Sequence, residues 1–173
     1  MTNFVKLDAS DTAAVSEMSQ IASEIVKDYY DPIIGKEQND YMLKMFQSEE
    51  AIKGQLEHGY NYYFVRNEGE NLGFMAFYPR ADVMYISKLY LYKSNRGLGY
   101  GKQMLQFVVD EANKSGLSAI ELNVNRGNPT CEIYEHIGFV VDRLEKNDIG
   151  NGFYMDDYVC RLDLKTKLPV DKH

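Results

Sequence analysis

Apolar positions along this chain recur at two spacings, three to four residues apart and two residues apart. Over 12–28, Val15, Met18, Ile21, Ala22, Ile25 and Val26 follow helical steps and predict an amphipathic helix. A short strand pattern at Phe4, Val5 and Leu7 precedes it, with capping residues between Asp8 and Asp11. Asp31-Pro32 and Gly35 are expected to interrupt the helix. Tyr41, Met42, Met45 and Phe46 predict a second helix over 40–47, and Ser48 caps a third that ends near Gly59. The two-residue spacing then takes over. Strand patterns over 60–66 and 72–78 read as an antiparallel hairpin around Asn67-Glu68-Gly69-Glu70-Asn71, with Pro79 ending the second. The pattern over 83–92 reads as a strand longer than its partners. A helix follows, with Leu105, Val108, Val109 and Ala112 on one face and Gly116 as its stop. Ile120, Leu122 and Val124 alternate with Glu121 and Asn123 in a strand over 119–125. Asn128 as N-cap, Pro129 at the first helical position and Gly138 past the end delimit a short helix before strands over 139–143 and 153–164. Residues 1–164 thus read as one domain of mixed α/β content, and the polar tail 165–173 is expected to fray.

One junction carries chemistry. Leu89, Tyr90 and Leu91 close the long strand pattern, and Arg96-Gly97-Leu98-Gly99-Tyr100-Gly101-Lys102 leads at once into the next helix. Glycines at alternate positions suit a tight turn and close ligand approach. A helix start offers unpaired N–H groups and the positive end of its dipole, so the junction reads as a pyrophosphate cradle. A Walker A loop does not fit: the glycine before Gly101-Lys102 is too near, and Gln103 replaces the hydroxyl that would hold a magnesium ion. A dinucleotide fingerprint begun at Gly97 meets Lys102 at its third glycine position, and one begun at Gly99 meets Met104. The pattern that does fit is Arg-x-x-Gly-x-Gly, from Arg96, Gly99 and Gly101.

Size and charge narrow the class. The 173 residues, 45% apolar, suffice for one compact core, and apolar runs fall short of the ~20 residues a membrane span needs. A formal charge of −7 argues against nonspecific binding to nucleic acid or an anionic membrane, and would favour a cationic acceptor. The N-terminus lacks a signal-like apolar block, so a cytoplasmic setting is expected. Cys131 and Cys160, widely spaced, read as small buried residues rather than a disulfide framework or zinc site. His58, His136 and His173 have no metal-binding spacing, so no metal is expected.

The Arg96–Gly101 pattern resembles the acyl-CoA pyrophosphate loop of the GNAT superfamily of N-acetyltransferases. A second stretch, Asn128 through Tyr134 to Gly138-Phe139, is similar to the superfamily's following motif, N-x-x-A-x-x-x-Y-x-x-x-G-F with variable length; Cys131 stands where alanine is usual. The two motifs and the strand order cover roughly 60–164. The resemblance implies a GNAT fold: a central, mostly antiparallel twisted sheet, splayed between its fourth and fifth strands and flanked by helices. It implies acetyl-CoA as co-substrate, with backbone groups of Leu89, Tyr90 and Leu91 on the pantetheine arm. N–H groups of Gly97, Leu98, Gly99, Tyr100, Gly101 and Lys102 would hold the pyrophosphate beside Arg96, and Asn123 and Asn128 would face the same ligand.

The implied reaction is direct acetyl transfer to a primary amine of a small molecule or peptide. An alkyl amine with a pKa of about 10.4 must lose its proton, which costs roughly 4 kcal/mol near neutral pH. The developing oxyanion needs a donor, by resemblance a backbone N–H near Leu91. The CoA thiolate needs a proton, and the family's donor matches Tyr134, a phenol that stays protonated at neutral pH. Many relatives carry a glutamate as general base two residues before Leu89, where this chain has Ser87. Glu121, Asp82, an ordered-water chain or an amine that arrives already neutral are the alternatives, and His136 reads as a surface residue because it lies two residues from Tyr134, on another helix face. Tyr29, Tyr30 and Asp31, expected in a loop after the first helix, form an aromatic–acidic cluster suited to a cationic amine, and Asp156-Asp157 sit in the last strands. A loose likeness to polyamine acetyltransferases points the same way. The rival reading is a catalytically silent acyl-CoA sensor. Tyrosine-rich edge strands leave a homodimer open.

Overall fold

The computed structural model describes residues 2–128 and 130–164. The expected fraying of 165–173 and the helical place of Pro129 lie outside the described residues. The chain divides into two compact units: one up to Tyr78 with Lys88–Leu105, the other Pro79–Ser87 with Gln106 onward.

The first unit holds β1 (Thr2–Lys6), α1 (Thr12–Ile34), α2 (Lys36–Phe46), α3 (Glu49–Glu57), β2 (Asn61–Asn67), most of β3 (Glu70–Arg80) and residues 88–91 of β4 (Val83–Leu91). β1 pairs antiparallel with β2, and β2 with β3. The β2–β3 turn is tighter than expected. Asn67 pairs directly with Glu70, leaving only Glu68 and Gly69, both at positive φ (51° and 81°), in the twist that suits a two-residue hairpin. β3 runs through Pro79 to Arg80, so at 11 residues it is longer than the nine-residue β4, contrary to expectation. Proline is tolerated near a strand end, where fewer ladder bonds are needed.

α1 starts where its cap predicts: the Asp11 carboxylate accepts the Ala14 N–H at 3.0 Å. Its apolar stripe (Val15, Met18, Ile21, Ala22, Ile25 and Val26) is buried in a cluster with Ile52, Tyr62, Phe64, Phe74 and Ala76. Each Val, Ile, Met or Phe among them contributes roughly 1.5–3 kcal/mol when fully buried. Contrary to expectation, α1 does not stop at Pro32 but continues to Ile34. Proline removes one helical donor but its fixed φ is helix-compatible, and the stop falls at Gly35 (φ 90°), whose N–H bonds the Asp31 carbonyl. α2 follows immediately and is longer than the predicted 40–47. Ser48 does cap α3, accepting the Ala51 N–H at 3.2 Å.

The second unit holds residues 83–87 of β4, the later turns of α4 (Tyr100–Lys114), β5 (Ala119–Asn125), α5 (Cys131–Ile137), β6 (Val140–Gly150) and β7 (Phe153–Asp163). β5 pairs parallel with β4 and antiparallel with β7, which pairs antiparallel with β6. The parallel ladder joins Val83–Ile86 to Ala119–Leu122 only, short for these strands, and fits a mostly antiparallel sheet that splays at this junction. β6 extends seven residues past the predicted end at Arg143, and its side chains are nearly all exposed. β7 supplies its partner through the Asn151-Gly152 turn, both residues at positive φ. α5 begins later than expected, with Thr130 rather than Asn128 at its N-cap.

Candidate active site

In the first unit the glycine junction grows from the end of β4. The Tyr92 N–H still bonds the Leu72 carbonyl of β3 at 2.9 Å, and the Asn95 amide donates to the same oxygen at 3.2 Å. A short 3-10 turn over Lys93–Asn95 then redirects the chain. The Arg96 Nε donates to the Leu91 carbonyl at 3.1 Å, and its guanidinium lies 4.8 Å from the centre of the Tyr29 ring. Arg96 therefore splints the loop to the end of β4.

Gly97 and Gly99 adopt φ of 77° and 90°, conformations that a side chain would strain. Gly101 differs: its φ is not in the left-handed region, and a Cβ there would meet nothing within 4 Å. Backbone geometry explains two of the glycines; the third lies in the first turn of α4 with open space at its Cβ position. The first helical bond runs from the Gln103 N–H to the Gly99 carbonyl, so the N–H groups of Tyr100, Gly101 and Lys102 precede the intrahelical ladder. An anion fits there on both counts, donors and dipole.

β4 itself is pressed against β3. A Cβ at Gly73 would overlap the Tyr90 carbonyl oxygen, so glycine lets the strands approach at the segment expected to bind pantetheine. Tyr29 and Tyr30 lie on the last turns of α1, not in a loop, because α1 passes Pro32. Their rings meet edge-on with centroids 5.0 Å apart, and the Tyr90 hydroxyl donates to that of Tyr30 at 3.3 Å. Asp31 receives the Asn39 amide at 2.8 Å and the Lys27 ammonium at 3.3 Å. The residues expected to receive an acceptor thus brace β4 and the α1–α2 corner. A cavity of about 590 Å³ opens between α1 (Glu24, Ile25, Asp28) and the loop (Tyr92, Lys93, Ser94, Arg96). The Tyr92 hydroxyl donates to Glu24 at 2.6 Å. Burial, reinforced by that carboxylate, pushes the Tyr92 phenol above its ordinary range.

In the second unit Asn123 is held at both ends: its oxygen accepts from the Tyr85 hydroxyl at 2.8 Å, and its nitrogen donates to Asp157 at 3.1 Å. Asp157 is buried. This Tyr85–Asn123–Asp157 line was not read from the sequence; the alternation of Tyr85 with buried Met84 and Ile86 was its only trace. Asn128 is also buried, and its side-chain oxygen accepts the Thr130 N–H at 2.9 Å, forming a turn just before α5. Tyr134 is half-buried on α5, its ring edge-on to Phe139 at 5.6 Å. Its neighbours Ile133 and Ile137 are exposed.

Of the alternatives for a base, Glu121 is committed elsewhere. Arg80 and Arg143 reach one carboxylate oxygen at 3.5 and 3.3 Å, and Arg161 reaches the other at 3.0 Å. Asp82 accepts from the Ser118 hydroxyl at 2.8 Å. His136 is exposed, as expected. Among the described residues no group of three or more His, Cys, Asp or Glu could hold a metal ion.

The sequence profile of the acetyltransferase (GNAT) family matches residues 20–139, which include the loop, Asn128 and Tyr134. The chain belongs to the GNAT acetyltransferase family. No curated protein matches it. Solved GNAT structures share its fold. One is a PaiA N-acetyltransferase from Thermoplasma acidophilum in complex with coenzyme A: 20% identity, TM-score 0.75, covering 94% of this chain and 99% of that one. A GCN5-related N-acetyltransferase from Rhodopseudomonas palustris gives 15% identity and a TM-score of 0.77, over 95% and 96% of the two chains. A GNAT acetyltransferase from Elizabethkingia anophelis with acetyl-CoA bound gives 16% and 0.65, over 94% and 98%. In this GNAT chain, among the described residues, no helix is long and apolar enough to cross a membrane.

Proposed function

We propose that this GNAT chain transfers the acetyl group of acetyl-CoA directly to a primary amine of a small molecule or peptide, in the cytoplasm and as one acetyltransferase domain over residues 1–164. The observation that carries the reading is the loop after β4: two glycines in left-handed conformations and a third, Gly101, left bare over open space at the start of α4. Acetyl-CoA would supply the activated thioester. The first-turn N–H groups of Tyr100, Gly101 and Lys102, with Gly97, Leu98 and Gly99, bind its pyrophosphate. Backbone groups of Leu89, Tyr90 and Leu91 hold the pantetheine arm, and an N–H near Leu91 donates to the oxyanion. Asn128 orders the turn that leads to α5, and Tyr134 protonates the departing thiolate.

The roughly 4 kcal/mol needed to present a neutral amine falls to groups other than Glu121, whose oxygens are taken by three arginines. That commitment, with Ser87 in the usual base position, is what favours the second reading, an acyl-CoA-binding module without turnover. Thiol release from acetyl-CoA across polyamines, amino acids, aminoglycosides and short peptides separates the two. Acceptor-dependent release establishes the enzyme and its substrate class. CoA binding without release on any amine supports the silent module.

A further inference from the structure

The two cysteines, 29 residues apart in sequence, meet in the second unit. Cys131 opens α5, Cys160 lies in β7, and their sulfurs are 4.0 Å apart, both as free thiols. Cys160 is fully buried, whereas Cys131 is half-buried. A disulfide requires the sulfurs to close to about 2.05 Å, a movement within reach of side-chain rotation and a small helix shift. α5 is suited to such a shift: it is seven residues long, and Glu132, Ile133, Glu135, His136 and Ile137 are all exposed. Burial, then the neighbouring Cys131, pushes the Cys160 thiol up to about 12, so it stays protonated until it reacts.

We propose that Cys131 and Cys160 form a redox-active pair, a modification site at which a hydroperoxide closes a disulfide between α5 and β7. The half-exposed Cys131 reacts first. Its thiolate sulfur attacks one oxygen of hydrogen peroxide, the O–O bond breaks, and the departing hydroxide takes a proton to become water. The Cys160 sulfur then attacks the Cys131 sulfenic acid. The S–O bond breaks, and hydroxide leaves as water with the Cys160 proton. Two thiols are oxidised to one disulfide, and one peroxide is reduced to two waters. A dithiol reverses the change. Tyr134 lies three residues beyond Cys131, on the same side of the helix one turn on. Closing the bond therefore tethers the helix that carries Tyr134, a consequence that rests on the acetyltransferase reading above.

The test is peptide mapping of the full chain after stoichiometric hydrogen peroxide, alkylation of remaining thiols and digestion without reduction. The expected product is a Cys131–Cys160 linked peptide that dithiothreitol removes and that Cys131→Ser or Cys160→Ser abolishes. Sulfinic acid accumulating at Cys131 with Cys160 alkylated, or chains linked to one another through Cys131, would overturn the proposal. Complete crosslinking is expected to lower acetyl transfer roughly tenfold, as misplacement of a catalytic group does; unchanged turnover would overturn the coupling to Tyr134. Reduced protein that acetylates no amine would sink the acetyltransferase reading and leave the mapping result standing.

Discussion

The loop after β4 and the α5–β6–β7 region both carry proposed catalytic parts, yet they encode them differently. In the loop the information sits in the backbone. Gly97 and Gly99 are demanded by φ, and Arg96 is fixed by the Leu91 carbonyl and the Tyr29 ring. Each requirement leaves a residue type at a fixed spacing. In α5–β6–β7 the information sits in side chains that meet across strands: Cys131 with Cys160, and Glu121 with Arg143 and Arg161. Such partners are far apart in the chain and leave no periodic trace. A glycine turn leading into a helix is thus legible in one sequence, whereas a side-chain network becomes visible only in the fold.

If backbone fit governs the loop side, the largest effect should come from Gly73→Val. Its side chain would collide with the Tyr90 carbonyl and is expected to destabilise the protein by about 3 kcal/mol, read from the midpoint of urea unfolding. A midpoint equal to wild type would break the claim that β3 and β4 need this close approach. On the side-chain region, Glu121→Ala leaves three arginines without their shared carboxylate. Because the arginines are partly exposed, the cost is put at about 2 kcal/mol rather than that of a fully buried pair. Loss of turnover with stability intact would instead reinstate Glu121 as a base.

Tyr134→Phe should lower turnover at least about tenfold while CoA affinity stays near wild type. No change in turnover would remove Tyr134 from its role. The smallest effect is expected from Asp31→Asn. Its contacts with Lys27 and Asn39 are worth within about 1 kcal/mol, and if they are its whole role the KM for amines stays unchanged. A KM that rises for polyamines and not for neutral amines would place Asp31 in the acceptor site.

Much of the fold was legible. The α1 stripe, the Ser48 cap and the limits of β5 follow from spacing and capping chemistry. Of the two interruptions expected, Gly35 is the terminator, through its positive φ, whereas Pro32 misled because a missing donor does not by itself end a helix. That one turn moved Tyr29, Tyr30 and Asp31 from a loop onto a helix, and changed what they touch. β6 was under-read because an exposed strand has no apolar alternation to betray it. Asn128 was placed as a cap; it forms the turn one step earlier, since its side chain reaches the Thr130 N–H. The Tyr85–Asn123–Asp157 line needed the β5–β7 register to bring its members together.

The most direct test of the loop's assignment is calorimetric titration of CoA into the wild-type chain and a Gly101→Val variant. A Cβ there meets no atom within 4 Å and sits in the first turn of α4, so melting temperature should hold while the valine side chain fills the approach to the N–H groups. The account predicts that wild type binds CoA and that the variant binds at least about tenfold more weakly. Absence of CoA binding by the wild type, or equal affinity in the variant, would contradict it.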